Sequence, residues 1–388
     1  MAKRSFLQIT TLFVLITILF EACKKETLYV SEVEDSTSEL ALIWYQNDME
    51  TKNDFEVGLR WCFSFLGAEL STGSWENGTR WEDNKLHVDF SQMGFNQIAL
   101  EQITKLNSLF KESGEFELKQ GIDGGRWVAA TFNTTNHYYK IVGIPDRFDL
   151  YKKGRSYLDS SVAVINSGVA FGNRIIQLPV VNAGSHNQSY IASELSGSIE
   201  QGTHSIKEFE VMDIMPNGQP RFGVYDSQGR RISGANNILS NGGKPSKCLW
   251  CHETNIQPSF LQSPKVSGYL TTDDFNSSVK AAMQSLTLYR TSLNGEIDFT
   301  DAKAHEHLEK LYIRYYQPSL KRLAQEMGVS QVQAKQKLLS YKAQLHEEFP
   351  EMGRLYIRNE VQTLLEFSTV RTAVGSRETE IVSIDLLP

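Results

Sequence analysis

The sequence predicts an α+β fold with an antiparallel sheet, and two features carry that prediction. Up to about residue 240, β-rich runs alternate with turn residues. After about residue 272 the strand signals stop, and apolar residues recur at helical spacing. A chain of 388 residues, 40% of them hydrophobic, is long enough for a large core and about two domains. Its formal charge of −7 gives no basic footprint for nucleic acid.

At the start, Lys3 and Arg4 form a short basic region. Phe6 to Phe20 follows as 15 residues without a charge. That is short of the roughly 20 residues a bilayer-spanning helix needs, and it suits the apolar core of a secretory signal. A signal anchor that stays in place is the alternative. The stretch ends in Leu19-Phe20-Glu21-Ala22-Cys23, which resembles the lipobox of bacterial lipoproteins. The resemblance implies that residues 1–22 are removed and that Cys23 is acylated, tethering the chain to membrane lipid in the cell envelope. Lys24 and Lys25 follow the cysteine, with no Asp to suggest retention in the inner membrane. Removal takes away Lys3, Arg4 and Glu21, so the formal charge moves from −7 to −8. Residues 23–37 are polar and charged and are expected to form a tether.

Residues 38–240 are expected to form the α+β domain. Asp54 is placed to cap a helix running through Leu66. Leu100, Ile103, Leu106 and Phe110 mark a helix over Gln97–Phe110. Arg126–Phe132 and His137–Val142 are β-rich, with Asn133-Thr134-Thr135-Asn136 as a hairpin loop between them. His137, Tyr138 and Tyr139 would then lie on a strand, facing the core or lining a pocket. Further strands are expected at Ser161–Ile165, Ala170–Leu178 and Lys207–Ile214. Pro216-Asn217-Gly218-Gln219 is a turn into a return strand at Arg221–Tyr225. A Ser-, Asn- and Gly-rich loop at 233–246 leads into residues 241–388, expected to be helical. Helices are predicted over Asp273–Leu293, Thr300–Arg314, Ser319–Met327 and Ser330–His346.

The chain has four cysteines, too few for a disulfide scaffold. Cys62 lies in Leu59-Arg60-Trp61-Cys62-Phe63-Ser64-Phe65-Leu66 and is expected to be a buried, inert thiol. Cys248-Leu249-Trp250-Cys251-His252 matches the CxxCH pattern of haem attachment. The spacing has a chemical reason. Two intervening residues let the sulfurs add to two vinyl groups on one porphyrin edge, and the next residue brings an imidazole to the iron. The motif resembles that of c-type cytochromes, and the likeness covers the motif and the helices behind it, about 250–350. It implies one covalent haem c held by Cys248 and Cys251, with His252 as proximal iron ligand, in a helical monohaem cytochrome c-like domain. Structural zinc is the first rival, but it needs four ligands and no second cysteine pair exists. A redox disulfide is the second, and it wants a thioredoxin-like setting, which the pattern lacks.

The other axial ligand is open among Met283, Met327, Met352, His305 and His307. A Met would raise the potential and a second His would lower it. The ordinary alternative for each is a core Met or a surface His. Arg221, Lys244 and Lys247 are candidates for haem propionates, with solvated charge as the ordinary alternative. Trp250 is expected against the porphyrin edge or nearby core. Leu320–Leu338 resembles a helix-turn-helix, with Gly328 at the turn and Ser330 at the cap. In an exported, acidic chain that pattern specifies two helices meeting at a Gly turn, not DNA binding. The expected function is electron transfer with a redox partner protein. The alternatives are a haem enzyme or a gas or peroxide sensor with an open axial position, and a haem-free ligand-binding lipoprotein with a structural CxxC.

Overall fold

The computed structural model describes residues 38–165, 167, 169–256, 264–301, 303–367 and 386–387. The signal segment, Cys23 and the tether lie outside the described residues. Ser38–Pro388 forms one compact unit. It is mixed α and β, and its two larger sheets are antiparallel but for one short pair.

The first part runs β1 (Glu39–Ile43), α1 (Lys52–Phe65), α2 (Ser74–Gly78), β2 (Thr79–Glu82) and β3 (Lys85–Asp89). It continues through α3 (Gln97–Lys111), α4 (Gly114–Lys119), β4 (Ile122–Asp123), α5 (Gly124–Val128), α6 (Thr135–Val142) and α7 (Phe148–Lys152). Its strands order as β2-β3-β1-β4, with β1 and β4 parallel and the rest antiparallel. Thr51, not Asp54, is the N-cap of α1. Its hydroxyl accepts from Asp54 N at 3.2 Å, and Asp54 Oδ2 accepts from Thr51 N at 2.8 Å. This reciprocal capping box satisfies two otherwise orphaned donors. Leu59, Cys62 and Phe63 on α1 are fully buried, and burial pushes the Cys62 thiol pKa up, as an inert thiol requires.

The expected hairpin at 126–142 is helical instead. Asp123 Oδ1 accepts from Gly125 N at 2.9 Å and starts α5. A π turn, Ala129–Asn133, joins it to α6. Trp127, Val128, Ala129, Ala130 and Phe132 are all buried. A helix buried on every side shows no amphipathic period, so its apolar run is indistinguishable from that of a buried strand.

The second sheet is an antiparallel meander: β5 (Tyr157–Ile165), β6 (Asn173–Pro179), β7 (Ser189–Ser196), β8 (Ser205–Ile214) and β9 (Pro220–Asp226). Four of these match the expected strands, and the turn into β9 passes through Gly218 at φ +83°. β1, β2, β3, β4 and β7 are not among the expected strands.

Beyond the sheet come α8 (Pro245–His252), α9 (Thr272–Ser292), α10 (Glu306–Tyr316), α11 (Leu320–Glu326) and α12 (Gln331–Lys337). Two short strands, β10 (Gln344–Leu345) and β11 (Arg354–Leu355), and a final turn α13 (Arg358–Val361) follow. The helix expected from Thr300 starts later. Asp298 and Asp301 accept from Thr300 N and Lys303 N at 2.8 and 3.0 Å, local turns that compete with helix. The helix expected to reach His346 stops at Lys337. The position near 240 lies inside the compact unit: α10 packs along α1, and α8 lies against β9. At the closest point, a Cβ on Gly58 of α1 would sit 2.9 Å from the His307 carbonyl oxygen. Among the described residues, no helix is long and apolar enough to cross a membrane.

Candidate functional site

The register of the five-stranded sheet places alternate residues on one face. Met212 on β8 pairs with Tyr190 on β7 and with Phe222 on β9. Glu210 pairs with Ala192 and Val224 in the same way. On β6, Arg174 and Ile176 share this face. Together with α8 and α9 these side chains enclose a cavity of about 350 Å³, within the usual size range of small-molecule sites.

Cys248, Cys251 and His252 all line that cavity. Helix α8 explains why. Pro245 sits in its first turn, where a missing N–H costs nothing. Cys251 and His252 lie three and four residues after Cys248, so the three share one helix face. The helix ends at Glu253, at φ +54°.

The His252 imidazole is half-buried, its ring centroid 5.3 Å from that of Phe222. Its Nδ1 lies 3.3 Å from the Asn255 carbonyl oxygen. With Nδ1 as donor there, Nε2 carries the free lone pair. Burial pulls the His252 pKa down, so the ring is neutral near pH 7, the form that ligates iron. Cys248 is half-buried with Sγ 3.8 Å from the Gly242 carbonyl, and burial, reinforced by Glu210, pushes its thiol pKa up. Cys251 is exposed, and both thiols are free.

This donor set fits a covalent haem. Two thiols and a neutral imidazole stand on one helix face and open onto a wall of Ile176, Tyr190, Met212, Phe222 and Val224. Among the described residues, no group of three or more His, Cys, Asp or Glu is arranged to hold a metal ion. Haem attachment asks for none: the sulfurs bond carbon, and one imidazole meets the iron.

No family model, curated protein or solved structure matches this chain. The site therefore stands on its own geometry.

The five residues held open for the other axial position lie elsewhere. Met283 Sδ accepts from Ile256 N at 3.2 Å. Met327 packs on a satellite cluster with Leu323 and Leu338, and Met352 is fully buried in the main core. His305 Nε2 faces Glu253 at 3.4 Å, and His307 Nδ1 faces Asp54 at 3.5 Å. Of the propionate candidates, Arg221 is committed to Asp213, at 2.6 and 3.0 Å. Lys244 is buried and Lys247 reaches Asn241. Trp250 packs on Phe132 and Tyr312 in the core. His137, Tyr138 and Tyr139 are buried on α6 and not on a strand.

Met212, Arg174 and Glu210 are among the cavity residues that sequence reasoning missed. Alternation along β8 groups Met212 with Glu208 and Glu210. Nothing in the sequence ties that face to a motif some 40 residues later.

Proposed function

We propose that this chain carries one covalent c-type haem and serves as a membrane-anchored electron carrier. One observation carries the reading: Cys248, Cys251 and His252 share a helix face and line one largely apolar cavity, with His252 Nδ1 turned to a backbone carbonyl. When bound, the haem would supply a one-electron iron couple. The chain's own residues hold and shield it. Cys248 and Cys251 would form the thioethers, His252 Nε2 would ligate the iron, the Asn255 carbonyl would fix the imidazole, and the sheet face would exclude water. A cytochrome c-like helical domain belongs to the same proposal, with a wall supplied by the sheet.

Met212 lines the same cavity, and a thioether ligand from it would favour an electron carrier over a haem enzyme with an open position. Acylation of Cys23 would anchor the protein in the cell envelope, and a redox partner protein would take or give the electron.

The test is expression with a haem-maturation system. Protein that keeps its colour after acid–acetone extraction, and loses it in Cys248→Ser/Cys251→Ser, supports the reading. Colourless protein from a proven maturation strain overturns it. A low-spin spectrum indifferent to carbon monoxide is expected, and rapid carbon monoxide binding would promote the enzyme or sensor alternative instead. Mass spectrometry of the mature N-terminus tests Cys23.

A further inference from the structure

One end of the cavity wall is acidic. Arg174, Glu194 and Glu208 stand directly across from one another on β6, β7 and β8, and Glu210 follows Glu208 on the same face. Arg174, Glu194 and Glu208 are 8%, 1% and 2% exposed. Three carboxylates thus face one guanidinium. Arg174 ion-pairs with Glu194 and, at 3.4 Å, with Glu210. Glu210 Oε1 also accepts the Ser240 hydroxyl at 2.6 Å. Among the described residues no ion pair to Glu208 is seen, and Arg174 acts on it only through space, more weakly than burial. Glu208 Oε2 accepts from Asn236 N at 2.8 Å, and its buried Oε1 meets no hydrogen-bond partner among the described residues.

A buried carboxylate without a cation takes up a proton, and like charges directly across a strand pair reinforce that. The titration directions agree. Burial pushes Glu208 up to about 7, with Glu210 adding to it. Burial also raises Glu194, against the pull of Arg174. Arg174 and Glu210 face the pair and line the cavity together with Cys248, Cys251 and His252 from α8. Lys244, buried at the start of α8, has interactions of its own.

We infer that Glu194 and Glu208 hold one proton between them and release it when an electron leaves the haem proposed above, so that the protein moves a proton with its electron. The inference rests on the haem reading. In oxidation, one electron passes from iron to a one-electron acceptor protein, and the cavity gains one positive charge. The O–H bond of the protonated carboxyl breaks, its electron pair stays on the carboxylate, and the proton goes to water at the cavity mouth. Reduction reverses both transfers. Arg174 and Glu210, set between pair and cavity, carry the electrostatic coupling.

The experiment uses the haem-loaded protein, with covalent haem measured first by acid–acetone extraction. Its midpoint potential is then titrated against pH. The potential is expected to fall as pH rises through about 7, approaching about 59 mV per tenfold change in proton activity, the one-electron, one-proton slope. Infrared difference spectra on oxidation are expected to lose a protonated-carboxyl band. Glu208→Gln is expected to flatten the slope and remove the band while the visible spectrum stays unchanged. A pH-independent wild-type potential overturns the coupling. A slope that survives in both Glu208→Gln and Glu194→Gln overturns the assignment to this pair. Should either variant fail to fold, the wild-type profile and infrared band decide. Absence of covalent haem is a separate failure, that of the reading beneath.

Discussion

Two of the buried charge groups in this molecule are balanced differently. In the first, Arg126, Arg322 and Arg358 meet Glu115, Asp123 and Glu326. Arg322 Nη2 reaches Asp123 at 2.5 Å and its Nε reaches Glu326 at 2.6 Å. Arg358 grips Glu326 with two bonds of 2.8 and 2.9 Å, and Arg126 Nε lies 2.8 Å from Glu115. Burial would raise Glu326, but Arg358 and Arg322 outweigh it and hold that carboxyl well below the usual range. Glu115 is the exception, pushed up to about 7 by burial against the pull of Arg126. The second group has three carboxylates and one arginine beside a cavity. The first ties α4, β4, α5, α11 and α13 together. The second leaves a carboxylate whose charge depends on pH. Pairing builds a brace, and a shortage of partners leaves a titratable site.

The largest expected effect breaks the brace. Arg322→Ala leaves Asp123 and part of Glu326 buried without a cation, at a cost of about 3–5 kcal/mol in denaturant melts. Arg174→Leu, in the other group, should behave differently, because its carboxylates can take up protons. Its cost is expected to be small in mild acid and to grow above neutral pH, on the order of 1–3 kcal/mol. An equal loss at both pH values would erase the distinction between the groups.

Glu208→Gln is expected to stabilise. Glu208 is raised to about 7 in the folded protein from an ordinary value of 4.5. Its contribution is therefore fully present below about 4.5 and lost as pH rises through about 7. The variant lacks that loss, so its gain on wild type should grow from about pH 4.5 to about 7 and hold above that, at about 1 kcal/mol. Thermal melts across the pH range check the sign. At the small end stands Arg230→Ala. Arg230 pairs with Asp226 at 2.7 Å but its side chain is 67% exposed, so the change should stay within about 0.5 kcal/mol.

The parts of the fold legible in the sequence are those with one wet side. α1, α3 and α9 each show one apolar stripe, and β8 and β9 flank a Pro-Asn-Gly turn. The segment 124–135 is buried throughout and gave no period to read. β7, Ser189–Ser196, carries three serines and an alanine, too little β-branched character to signal a strand. The site divides likewise. Cys248, Cys251 and His252 are adjacent in sequence and were found there. Met212, Arg174 and Glu210 reach the cavity, and Glu194 and Glu208 their places beside it, only through strand register, which no local pattern encodes. The helix-turn-helix-like stretch was legible as geometry. Its two helices turn at Gly328, and its Arg322 is spent inside the protein.

The close approach at Gly58 also sets an order of events as the molecule forms. Gly58 and His307 meet across roughly 250 residues of chain, a closure whose entropy must be met before any packing reward. Until α10 has been synthesised and has docked, α1 lacks a long partner for its apolar side. A half-made chain therefore cannot close its main core. Cys62, fully buried once α1 is covered, becomes a built-in clock: open to alkylation while the chain is incomplete, and silent when the two ends of the sequence have met.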